Sequence, residues 1–257
     1  MLAAPTRCAE QRSAVWRVPN GGELPQIEKG YLDQNTSLVT ISIGGNDARF
    51  ADVIQKCLIA LGDGSCANKT FESGDTDSHV GGRDTKYVGK PLAEANPGII
   101  NNIVRPDIAE TLKQINAKAP NAKIVLMGYP PLFSDKANCL RLEPGISLGL
   151  SEASTEWLNG IAGTLAEAME GAIDDAGAAR YKTWFSDPAD DFVGKVVCGD
   201  PETVHGLVKT LVDSDEPLTD WPILKNYGLS AQSFHPKIAG ARLYANSMEG
   251  TMVLIDL

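Results

Sequence analysis

Basic charge is scarce in this sequence: 23 Lys and Arg stand against 33 Asp and Glu, a formal net charge of −10. Nucleic acid and anionic membrane surfaces are therefore disfavoured as partners, since both repel an acidic surface. Long apolar runs are also missing. None approaches the roughly 20 residues needed to cross a bilayer as a helix, so no transmembrane segment is read. No Cys-x-x-Cys pair occurs, which removes the usual zinc spacing. The acidic clusters do not follow the Asp-x-Asp-x-Asp-Gly order of an EF-hand loop. No metal is expected. Met1 to Cys8 shows no basic stretch followed by an apolar one, so it does not read as a signal peptide. No internal repeat, low-complexity tract or domain boundary divides the chain.

What is present suits one folded unit. The chain has 257 residues, 43% hydrophobic and 22% charged, enough to bury a sizeable core. A single domain over residues 1–257 is predicted, carrying a polar stretch from Gly62 to Pro97. Asp-Gly-Ser, Ser-Gly-Asp and Gly-Gly-Arg-Asp clusters there are turn signals and predict a solvated insertion. The five cysteines are Cys8, Cys57, Cys66, Cys139 and Cys198. Cys57 and Cys66 bracket a short polar loop that a small disulfide can close. Cys139 and Cys198 lie in loop-like surroundings where a second bridge would fit. Five buried thiols are the alternative, because free cysteine packs as a small hydrophobe.

Leu38 to Ile43 and Lys123 to Gly128 are apolar β-type runs, and Arg180 to Phe185 is a weaker one. Helical spacing appears over Ala48–Ala60, and over Ile99–Ala119 with a kink or restart at Pro106. It recurs over Ser151–Gly177, where Gly177 suits a C-cap, and over Pro236–Met248. Pro188 to Leu229 reads as loops and short helical pieces. Strands separated by helices predict an α/β fold with a mostly parallel sheet.

The chemistry-bearing stretch is Gly44-Gly45-Asn46-Asp47, directly after the first strand. Ligands of open α/β sheets bind at the carboxyl ends of strands. The Asn46 carboxamide is a neutral donor suited to a developing oxyanion, and Gly44 and Gly45 permit close approach. Alternatively the tetrapeptide is a turn with Asp47 capping the next helix. Three histidines are available. His79 lies in the polar stretch and His205 in a surface segment, while His235 sits within Ser233-Phe234-His235-Pro236 at the start of a helix.

Several segments, in order, resemble the SGNH (GDSL-type) esterases and lipases of actinobacterial type. Gly22 to Ile27 is similar to the segment before that family's block III. Leu38 to Phe50, with Ala51 to Ile54 and Cys57, resembles block III and its helix. Ala119 to Val125 with Gly128-Tyr129-Pro130 resembles the next strand and its exit. Trp157-Leu158-Asn159 is similar to the long helix. Phe192 to Lys195 with Cys198-Gly199 resembles the loop before block V, and Ser233 to Pro236 with Gly240 resembles block V.

The resemblance implies a three-layer α/β/α, flavodoxin-like fold with a parallel sheet of order 2-1-3-4-5. It implies His235 as general base, Asn46 as oxyanion-hole donor and Gly45 as a substrate-binding position. It further implies disulfides Cys57–Cys66 and Cys139–Cys198, an extracellular location, and a small-molecule ester or lipid substrate with no cofactor. Cys8 matches one partner of a further family bridge.

Three departures stand out. No Gly-Asp-Ser precedes Gly44, so no nucleophile is identified; Gly62-Asp63-Gly64-Ser65 comes after block III. Glu10 falls where the family's second oxyanion donor, a glycine, belongs. Gln232 replaces the acid three residues before the histidine, leaving a backbone carbonyl to orient the imidazole. Leu38–Ile43 would then form an open apolar edge, covered by an upstream segment of a longer polypeptide or by a partner chain. The expected function is carboxylic ester hydrolysis by a Ser-His mechanism. A non-catalytic SGNH-like binding domain is the alternative, and a ligand binder using residues 62–97 the third.

Overall fold

Apolar, β-branched runs flanked by turn residues form the three strands of the computed structural model, which describes residues 25–58, 64–76, 80–134, 140, 149–209, 230 and 232–256. Strands β1 (Leu38–Ile41), β2 (Lys123–Met127) and β3 (Thr183–Ser186) pair in parallel in the order β1-β2-β3. Val39 lies opposite Ile124, and Val125 opposite Trp184. Successive side chains leave a strand on opposite faces, and the core divides accordingly. Val39, Ile41, Ile124 and Leu126 join the large cluster that includes Ile108, Leu112 and Leu165. Val125 and Met127 instead meet Met248, Ile255 and Trp184. Helices therefore cover both faces, giving the predicted three layers. The chain has an α/β fold.

The helices are α1 (Phe50–Leu58), α2 (Leu92–Ile99), α3 (Arg105–Lys118), α4 (Glu152–Asp174), α5 (Ala189–Phe192) and α6 (Ile238–Leu254). Ser151 caps α4, its hydroxyl accepting the Ser154 N–H at 3.1 Å. Leu158, Ile161, Leu165, Ala168, Met169 and Ala172 form the buried stripe of α4. Its C-cap is Asp175, and Gly177 (φ +60°) opens the following 3-10 turn instead. Helix α6 runs six residues beyond the predicted Met248, with Pro236 just outside its N-cap, Lys237.

Two expectations need correction. The helix predicted from Ile99 already begins at Leu92. A π-turn over Ile100–Val104, closed by the Arg105 N–H on the Ile100 carbonyl, restarts it just before Pro106. Pro106 has no N–H to continue the regular ladder at this point. Nor is the 62–97 stretch a purely solvated insertion where it is described. Phe71, Val80, Tyr87 and Leu92 are buried in the main core, and Asn96 donates to the Ala48 carbonyl at 2.7 Å.

Among the described residues β1 pairs on one side only. Its inward side chains Val39 and Ile41 are covered, at 2% and 1% exposure. The open part is the backbone edge, not an apolar face. No helix among the described residues is long and apolar enough to cross a membrane.

Candidate active site

The turn after β1 is built around its two glycines. Gly44 has φ +98°, and a Cβ there would stand 3.0 Å from both Ile108 Cδ1 and Val104 Cγ1. A Cβ on Gly45 would meet the Tyr129 ring at 3.0 Å. Only glycine fits both positions without movement. The Ala48 N–H donates to the Gly44 carbonyl at 2.9 Å and the Arg49 N–H to the Asn46 carbonyl at 2.9 Å, so the turn closes on itself before α1. Asn46 is left exposed at its apex.

The histidine arrives from the far end of the chain on a hydrogen-bonded clip. Val204 and Pro236 form an antiparallel bridge. The His205 N–H donates to the His235 carbonyl at 2.9 Å, the Phe234 N–H to the His205 carbonyl at 3.0 Å, and the Lys237 N–H to the Thr203 carbonyl at 2.8 Å. Lys237 Nζ also pairs with Glu202 Oε1 at 2.6 Å, while Glu202 Oε2 accepts the Cys198 N–H at 3.0 Å. Within the clip, His235 Nδ1 lies 3.1 Å from the Ser233 carbonyl oxygen. An Nδ1–H donated there leaves Nε2 bare to take a proton. Gln232 is exposed.

Asn46, Gly45 and His235 meet on the rim of one cavity of about 240 Å³. Its walls are apolar: Phe50 and Ile54 from α1, Ala162 and Leu165 from α4, Leu132 after β2, and the rings of Tyr129, Phe234 and Tyr244. Among the described lining residues the hydroxyls are those of Ser233, Tyr129 and Tyr244. Ser233 Oγ is occupied by the Val208 N–H at 3.1 Å. Ser65 does not line the cavity; its Oγ accepts the Ala67 N–H at 3.2 Å. Among the described residues Ser233 is the one serine that lines the cavity.

Electrostatics reinforce the clip. Burial pushes the Glu202 carboxyl up, but hydrogen bonds from Lys237 and the Cys198 N–H outweigh it and hold it below the usual range. Burial, aided by the Lys237 charge, lowers His205. Burial raises the phenols of Tyr129 and Tyr244, so both stay neutral donors within the cavity. Tyr129 also accepts the Gly45 N–H at 3.4 Å.

Of the other predicted residues, Cys57 and Cys66 are bridged, with Cα atoms 5.0 Å apart. Cys198 is disulfide-bonded; Cys139, Cys8, Glu10 and His79 lie outside the described residues. His205 is half-buried beside His235 rather than on a surface segment. Tyr129 and Tyr244 were not singled out as site residues. The position of Tyr129, just past the carboxyl end of β2, was the available signal. Among the described residues no group of three His, Cys, Asp or Glu side chains is placed to hold a metal ion.

No family model matches the chain. It is similar to Lipase 1 of Streptomyces coelicolor, 27% identical over 219 residues, covering 85% of this chain and 61% of that protein. It is also similar to a lipase of Streptomyces rimosus, 25% identical over 186 residues, covering 72% of this chain and 56% of that one. The chain thus spans about three-fifths of the length of these curated relatives. Its structure resembles phospholipase A1 from Streptomyces albidoflavus NA297, with a TM-score of 0.58, 22% identity, and coverage of 87% of this chain and 72% of that one. An extracellular lipase from Streptomyces rimosus follows, with a TM-score of 0.52, 21% identity, and coverage of 85% and 70%. At such identities the two structures speak for the fold. Together the likenesses support the SGNH/GDSL-type hydrolase family.

Proposed function

We propose that this chain, with its SGNH/GDSL-type fold, carries the base and one oxyanion donor of a secreted carboxylic ester hydrolase. The supporting observation is that Asn46, after β1, and His235, before α6, face the same apolar-walled cavity. In this reading a serine oxygen attacks the ester carbonyl, and its proton passes to His235 Nε2. Asn46 Nδ2–H and the region of Gly45 receive the oxyanion. The tetrahedral intermediate expels the alcohol, which takes the proton back from Nε2. Water then attacks the acyl-enzyme with His235 again as base. This chemistry calls on no cofactor.

The cavity walls suit an apolar acyl group, as in a lipid or other small-molecule ester. The serine would come from an upstream segment or partner chain lying along the open edge of β1. The Cys57–Cys66 bridge and the likeness to an extracellular lipase support secretion.

A second reading, a non-catalytic SGNH-like binding domain, is favoured by one sequence feature. No Gly-Asp-Ser precedes Gly44, and Glu10 stands where a donor glycine would be. Fluorophosphonate labelling, with the modified residue mapped by mass spectrometry, decides between them. One labelled serine that is lost in His235→Ala supports the hydrolase. A folded protein that stays unlabelled, whether alone or together with any upstream-encoded segment or partner chain, supports the binding domain.

A further inference from the structure

The Trp157-Leu158-Asn159 segment lies in the N-terminal part of α4. The Asn159 side chain reaches across to a single residue on the strand side of the cavity. Its Oδ1 accepts the Phe133 N–H at 3.1 Å, and its Nδ2 donates to the Phe133 carbonyl at 2.8 Å. Both backbone groups of a buried residue are thereby satisfied by one amide, which fixes that residue in two directions. The flanking groups are tied elsewhere: the Ser134 N–H donates to the Val197 carbonyl at 3.0 Å, and the Val197 N–H to the Leu132 carbonyl at 2.9 Å.

The Phe133 ring, 2% exposed, meets the Phe234 ring edge-to-face, with centroids 6.0 Å apart and planes at 71°. Phe234 is the residue before His235 and has φ +63°. A bulky side chain in that left-handed region is strained and persists only where its surroundings hold it. Its N–H bond to the His205 carbonyl is one restraint, and the Phe133 ring is another.

We infer that Asn159 is a positioning residue for His235, acting through the Phe133 backbone and the Phe133–Phe234 ring contact. This rests on His235 being the base. Without the amide, the Phe133 N–H and carbonyl lose their partners, the ring shifts, and Phe234 relaxes. The imidazole then loses its fixed Nδ1–H contact with the Ser233 carbonyl.

The test reads the His235 ring nitrogens by ¹⁵N NMR in the full chain. In the wild type the Nδ1–H tautomer dominates. Asn159→Asp, which sets a carboxylate oxygen against the Phe133 carbonyl, and Asn159→Leu both move the ring toward a mixed population of tautomers. Phe133→Leu, which removes the ring edge with Asn159 intact, does the same, and combining it with Asn159→Leu adds little further. Leu158→Ala is the control: it cuts the core of the same helix turn while keeping both Asn159–Phe133 hydrogen bonds, and leaves the tautomer alone. Unchanged ring signals in both Asn159 variants, or an equal change in Leu158→Ala, would overturn the inference.

Ester hydrolysis is followed in parallel, with the serine-bearing upstream segment or partner chain present. A fall in kcat of about 10- to 100-fold in the Asn159 variants, with KM nearly constant, fits a displaced base. An equal loss in Leu158→Ala counts against it. With the serine-bearing segment or partner present, a wild type that still hydrolyses no ester counts against the hydrolase reading, while the ring signals still decide the role of Asn159.

Discussion

The Ser233 carbonyl oxygen stands 3.1 Å from Nδ1 of His235, two residues along the same loop. A main-chain acceptor thus occupies the place where a carboxylate side chain would orient the imidazole, and Gln232 is not needed for that contact. A neutral carbonyl orients the ring without the full Coulombic stabilisation of an imidazolium. Gln232→Ala is therefore expected to leave hydrolysis within about twofold of the wild type, well short of the losses typical of general-base removal. Steady-state kinetics on a soluble p-nitrophenyl ester, with the serine-bearing segment or partner present, check this; a loss of a hundredfold would assign Gln232 a role.

Asn46 is exposed at the apex of its turn, so removing its amide should spare the fold. Asn46→Ala is expected to lower kcat by about 10²- to 10³-fold, the usual cost of one oxyanion donor, with KM little changed. Its thermal midpoint should stay within about a degree of the wild type, as for other exposed substitutions. A fall in stability together with a rise in KM would argue for a merely structural turn.

Gly44→Ala confronts a φ of +98° and two methyl groups at 3.0 Å. Backbone strain and overpacking together should cost about 2–4 kcal/mol, read as a lowered midpoint in urea with an unchanged m-value. A substitution costing under half a kcal/mol would show that Val104 and Ile108 yield freely.

The Cys57–Cys66 bridge closes a short loop, with a sequence separation of 9. Loop-closure entropy for that length predicts a loss of about 2–3 kcal/mol in the Cys57→Ala/Cys66→Ala double variant. Chemical denaturation of the two proteins under oxidising conditions measures it.

Acid should weaken the clip that carries His235. Glu202 is held below its ordinary value in the folded protein, so its contribution is complete above the unfolded carboxylate range and fades as pH falls through the lower folded value. His205 is also lowered; the unfolded chain binds its proton first, so stability begins to decline below about pH 6.5, the ordinary histidine value. Thermal midpoints of wild type and Glu202→Gln should therefore differ at neutral pH and converge as the pH drops below about 4. Parallel curves across that range would remove Glu202 from the account.

Where the chain announces itself locally, its sequence was readable. The runs Leu38–Ile43 and Lys123–Gly128 became β1 and β2 with a residue or two trimmed, because continuous β-branched residues suit a strand buried on both faces. The apolar stripe of α4 likewise has a single periodicity. The region from Gly62 onward did not read well, for an equally physical reason. Phe71, Val80 and Tyr87 are single apolar residues in polar surroundings, so no period reveals their burial. Asn96, Pro97 and Gly98 look like helix breakers, yet Asn96 uses its side chain to hold the turn after Asn46. Of the candidate site, position and resemblance pointed to Asn46, Gly45 and His235, and all three line the cavity. Tyr129, Tyr244 and the pairing of His205 with His235 were not, because they arise from contacts between segments far apart in the chain.

The clip between residues 203–207 and 234–237 is bonded to itself and, through Glu202 and Thr203, to Lys195 and Cys198, whereas the Asn46 turn follows the edge strand β1. The two halves of the cavity rim thus hang from segments far apart in the chain and meet through the shared core, where Phe133, after β2, packs on Phe234. A disturbance of the strands therefore reaches both halves, so the width of the cavity mouth reports the state of the sheet as well as that of the clip.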